Sequence, residues 1–141
     1  MTPWPSKFED RLQDWHDLRH AADHDDPHTF LLHVNNWWMR APINGYYLHW
    51  DYSHEWPGPW QLLSDNVWCD VARCLGIVYT LTMTEKFQFE SIKIIQFDSG
   101  NVVLVNKKHW LGYCFNSIKL DSIIENSVAI NQIDTTQLNI T

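Results

Sequence analysis

The sequence predicts an α+β domain in which N-terminal helices and a central helix pack on a C-terminal antiparallel β-meander of three to five strands. Three observations predict it. Apolar residues recur at helical spacing up to about residue 83. From about residue 91, β-branched runs alternate with polar turns. The composition divides along the same line. Residues 1–70 hold four basic and eleven acidic residues, a net of −7, together with eight of the nine tryptophans and seven of the eight histidines. Residues 71–141 hold six of each charge. Neither half is long enough for a comfortable core alone, so the 141 residues are expected to share one domain. Within it, residues 1–65 make the helical, aromatic and acidic part. Residues 66–125 make the central helix and the sheet, and 126–141 a C-terminal arm or edge strand.

The first helix is expected over about 7–22. Ser6 and Glu9 have the spacing of a capping box, and Phe8, Leu12, Trp15, Leu18 and Ala22 recur along one face. Asp23–Asp26 breaks it. Asp26 followed by Pro27 reads as an N-cap and first helical position, and Phe30, Leu31, Val34, Trp37 and Trp38 carry a second helix to about 39. Pro42 and Asn44-Gly45 end it. Residues 46–50 read as a short strand. Residues 55–60 form an aromatic loop in which Pro59 opens a helical turn through Leu63.

The third and strongest helix is expected over 66–83, capped by Asp65 or Asn66. Val67, Val71, Cys74, Leu75, Val78 and Leu81 form its apolar stripe. Cys69, Ala72 and Gly76 line the opposite face. Their small size permits close approach there too, which predicts a central helix covered on both sides. Strands are then expected at 91–97, 102–105, 109–115 and 118–124, with turns at 98–101 and 106–108.

Composition excludes several classes. With 14% aromatic and only 19% charged residues the chain is not disordered. No apolar run reaches the roughly 18 residues of a membrane span, and residues 1–7 lack a signal-peptide core. The net charge of −7 argues against nucleic acid as a partner. Three cysteines without paired spacing suit a reducing compartment. Gly-rich phosphate loops and a Gly-x-Ser-x-Gly elbow are absent.

Three sets of residues could carry function. Nine large aromatics fall between Trp37 and Trp68. Trp37, Trp38, Trp50, Trp56 and Trp60 are the expected interface anchors, since Trp is a typical contact residue; sugar stacking is the weaker use of the same cluster. His16, His20, His24 and His28 recur every four residues. No closed four-ligand set is visible, so no metal and no cofactor is expected. The third set is Cys69, His109 and Asp121. A cysteine in the first turn of a helix has a lowered pKa, and an imidazole beside it would complete a nucleophile–base pair. The order of cysteine on a central helix, histidine on a following strand and acid on the next resembles the papain-like and transglutaminase-like layout. That layout implies a hydrolase or acyltransferase with Cys69 as nucleophile, His109 as base and Asp121 as orienting acid. Trp68-Cys69-Asp70 departs from it in lacking a small residue beside the nucleophile.

A second resemblance covers about residues 35–80. Asn36-Trp37-Trp38, the run from Tyr46 to Asp51, and above all the segment from Trp56-Pro57-Gly58-Pro59-Trp60 through Cys69-Asp70-Val71 to Thr80 resemble small proteins of T4-like contractile-tailed bacteriophages of the cyanophage type. The resemblance implies a virion structural or assembly protein of the tail, baseplate or neck. It implies other phage structural proteins as partners, with several copies in a symmetric assembly. It also implies residence in the host cytoplasm during assembly and then in the virion. No membrane partner is expected.

Overall fold

The computed structural model describes residues 3–45, 48–97, 100–112, 129–135 and 138. Helix α1 spans Phe8–His20 and continues into a 3-10 turn, Ala21–Asp23. Its N-cap is Lys7, which makes no side-chain capping bond, so the Ser6 capping box does not form. Glu9 and Asp10 occupy the first turn instead, where carboxylates favour the positive helix end. Helix α2 spans Pro27–Trp38 and begins as expected. The Asp26 carboxylate accepts the Thr29 N–H at 2.7 Å, and that bond holds its pKa below the usual carboxylate range.

Three boundaries differ from the sequence expectation. Trp50 opens a 3-10 segment, Trp50–Glu55, rather than closing a strand; residues 46 and 47 lie outside the described residues. Pro59 starts helix α3 as expected, but the helix runs to Asp65 rather than ending at Leu63. Asn66 does not cap the next helix but ends this one, in the left-handed conformation at φ 53°. The central helix α4 therefore starts at Asp70, runs to Met83, and has Cys69 at its N-cap.

Helix α4 is buried on both faces, as its two stripes predict. Val71, Cys74, Leu75, Val78 and Leu81 are all buried, and so are Ala72 and Gly76 opposite them. The small face has a specific occupant. A Cβ at Gly76 would fall into the Trp38 indole, so only glycine lets that ring lie against the helix.

The sheet is antiparallel in the order β3-β2-β1-β4, with β1 at Ile92–Phe97, β2 at Gly100–Val105, β3 at His109–Leu111 and β4 at Asn131–Asp134. The first three strands form the predicted meander. Asn106 and Lys107 supply two successive positive φ angles at the β2–β3 turn. Among the described strands, β4 pairs antiparallel with β1 at the edge opposite β3. Asn131–Asp134 thus takes the edge-strand option for the C-terminal segment, while the strand expected at 118–124 lies outside the described residues.

Alternation sorts the two faces. Ile94, Val103, Leu111 and Ile133 stand in register across the four strands and join α4 and the helical residues in the main core. Ile95, Phe97 and Val102 form a smaller cluster on the other face, with Leu104 and Trp110 against it. Among the described residues, no helix is long and apolar enough to cross a membrane.

Candidate functional site

The expected aromatic cluster exists, but most of it points inward. Trp4, Trp37, Trp38 and Trp68 form one array in which Trp4 and Trp38 each meet the other three rings, with centroids 4.7–6.1 Å apart. Trp15 extends the array, 6.4 Å from Trp38. An indole carries one N–H that must find an acceptor when buried. Two polar side chains answer this for four rings. The Thr80 hydroxyl accepts from Trp15 and Trp38 at 2.8 and 2.9 Å, and donates to the Gly76 carbonyl at 2.7 Å. The Asn66 side-chain oxygen accepts from Trp4 and Trp68 at 2.9 and 2.7 Å.

The expected anchors therefore divide. Trp37, Trp38 and Trp56 are buried at 8, 1 and 3% exposure and belong to the core, so they are not available to a partner in the folded chain. The physical reason is area: an indole buries more apolar surface than any aliphatic side chain, and a small domain spends it on its own core first. Trp56 is further tied by its N–H to the His49 carbonyl at 3.0 Å. Trp50 is half-buried; its ring meets Trp56 edge-on at 5.1 Å and its N–H donates to the Asn101 side chain at 3.0 Å, fastening the 3-10 segment to β2.

Trp60 is the exception. It remains 47% exposed at the start of α3, braced edge-on by Trp15 at 5.2 Å. Trp15 holds a second group, the Arg19 guanidinium, 4.4 Å from its ring centroid. Burial lowers the Arg19 pKa, and its Nε is buried without a hydrogen-bond acceptor. Trp60 and Arg19 thus both lean on one buried, hydrogen-bonded indole. Sequence reading places Trp60 among the anchors but misses Arg19, although its i+4 spacing from Trp15 is visible.

The Cys69–His109 pair is not assembled. Cys69 is 2% exposed at the N-cap of α4. The next residue, Asp70, accepts the Asn101 N–H at 2.6 Å, which ties this end of α4 to the start of β2. His109 pairs with Val105 at the other end of that strand. Four residues of strand separate the two levels, about 13 Å. His109 instead neighbours His28 of α2, ring centroids 6.5 Å apart. Its pKa is lowered, by burial first and then by the charges of Lys108 and His28. Asp121 lies outside the described residues. Cys74, one turn further along α4, is fully buried, and burial raises its thiol pKa well above the usual value.

An open cleft of about 740 Å³ lies where α4 ends, bounded by residues 84–92 and by β4. Its lining includes the acidic Glu85, Glu90 and Asp134 and the aromatic Phe87 and Phe89. Neither Cys69 nor His109 lines it. No protein family, no curated protein and no solved structure matches this chain.

Proposed function

We propose that the chain acts by contact rather than by catalysis, as a structural or assembly protein of a contractile-tailed phage virion. The observation that carries the contact reading is Trp60. A large aromatic already braced against a buried ring has less side-chain freedom to lose on binding, and Trp and Arg are the residues enriched among interface anchors. With Arg19 on the same supporting indole, the partner surface would offer an apolar recess for Trp60 and a carboxylate or carbonyl for the guanidinium. The virion setting rests on the likeness of the segment Trp56–Thr80 to small phage proteins, and Trp60 lies inside that segment. The range of candidate partners is correspondingly narrow: neighbouring tail, baseplate or neck subunits, or further copies of this chain.

The test is a photo-crosslinking amino acid at position 60, with a second at exposed Gln13 as control, in the assembling particle. A crosslink from position 60 to one defined structural subunit is expected, together with loss of incorporation for Trp60→Ala. Absence of the chain from purified particles and their assembly intermediates would overturn the virion setting. Normal incorporation of Trp60→Ala would overturn the role of this anchor.

A further inference from the structure

The sequence leads to no expectation of a metal, yet the last turn of α1 arranges two imidazoles for one. His16 and His20 stand one helical turn apart with ring centroids 4.2 Å from each other. Both side chains are more than half exposed, so neither is committed to the core. The His16 Nδ1 lies 3.7 Å from a carboxylate oxygen of Asp17, and the His20 Nδ1 lies 3.9 Å from one of Asp23. Each ring therefore turns Nδ1 toward a carboxylate and keeps Nε2 for another partner. At these distances the carboxylates are not hydrogen-bonded to the rings, but they place negative charge beside both imidazoles. Two nitrogens held about 2.1 Å from one ion can be at most about 4.2 Å apart, a separation that rings so placed can meet.

Helix polarity and net charge both favour a cation here. The pair sits at the negative end of α1, in the half of the chain whose net charge is −7. Two cations stand nearby: Arg19 is held over the Trp15 ring, and the Lys86 ammonium is engaged with the Asp23 carbonyl at 2.9 Å. We propose that His16 and His20 form a two-imidazole chelate for a divalent transition-metal ion of the nickel, copper and zinc class. Water completes the coordination, and Asp17 and Asp23 stand behind the ligands. Among the described residues, no group of three or more His, Cys, Asp or Glu is assembled to hold a metal. The site is accordingly a surface chelate and not a closed structural centre. Magnesium and calcium, which require oxygen ligands, are excluded by the donor set.

Calorimetric titration of the untagged chain with nickel chloride near neutral pH tests this. One ion per chain is expected. His16→Ala and His20→Ala should each weaken binding roughly tenfold or more, because loss of either imidazole destroys the chelate. His33→Ala should leave it unchanged, since His33 pairs separately with Asp25 at 2.9 Å. The substituted residues are exposed, and unchanged circular dichroism would establish that both variants fold. Binding that survives both single substitutions, or no binding by the unsubstituted chain, would overturn the proposal.

Discussion

At the centre of the helical half one hydroxyl, Thr80, serves two indoles, while across the sheet Ile94 stands in register with Val103 and Ile133, whose side chains are purely aliphatic. The aromatic half buys its large apolar area with an obligation, because every buried indole N–H needs a matched acceptor. The sheet half has smaller pieces and no such obligation, and its specificity comes from register alone. An aromatic core of this kind should consequently fail at a few polar or small positions, whereas the aliphatic core should fail in proportion to volume removed.

The largest contrast is expected between Trp38→Ala and Val103→Ala. The first should cost about 3–5 kcal/mol and the second about 2 kcal/mol, read from denaturant midpoints at constant slope. Equal losses would show that the indoles contribute no more than their aliphatic counterparts. Gly76→Ala comes next. It adds one methyl where the Trp38 ring lies, so it should destabilise by about 1–3 kcal/mol despite the better helix propensity of alanine. Combined with Trp38→Ala it should cost far less than the sum, because the methyl then has room.

Thr80→Val keeps the shape and strips the shared acceptor. A loss of about 2 kcal/mol is expected from the two stranded indole donors, with Thr80→Ser retaining most of the stability. A neutral Thr80→Val would break the link between this hydroxyl and the aromatic core.

Tyr79 sharpens the comparison through pH. Its hydroxyl donates to the Pro57 carbonyl at 2.6 Å, and burial pushes its pKa up to about 12, against about 10 in an unfolded chain. The folded state therefore holds the proton longer. This contribution is fully present below about pH 10 and is lost as pH rises toward 12. Stability measured across that window should fall more steeply for the unsubstituted chain than for Tyr79→Phe. The smallest stability effect belongs to Trp60→Ala, within about 0.5–1 kcal/mol because the residue is half outside the core. A loss as large as that of Trp38→Ala would reassign Trp60 to the core.

The candidate site was less legible than the fold. Trp37, Trp38, Trp56 and Trp60 are chemically alike in sequence, and adjacency in the chain says nothing about which faces water. Trp60 stays outside because α3 is short and already buries Leu62 and Leu63 on its inner side. The Cys69–His109 pairing fails for a related reason. Chain order places a helix before a strand, but the separation depends on which end of β2 each approaches, and the Asp70–Asn101 bond fixes that locally. The proximity of His16 and His20 was legible, since i,i+4 spacing brings side chains together on any helix, but no metal was expected from it.

The sequence by itself determined the α+β class, the helix at Pro27, the two-faced burial of residues 71–81 and the meander of β1 to β3. Those are local matters of cap chemistry, periodicity and turn residues, each settled within a few positions. Tertiary structure alone decided that Asn66 closes α3 and binds two indoles, that residues 131–134 pair with β1, and which tryptophans are core. Those outcomes join residues tens of positions apart, such as Trp4 with Asn66 and Trp15 with Thr80. Their energies depend on which surfaces meet once the chain has collapsed, and no local pattern encodes that.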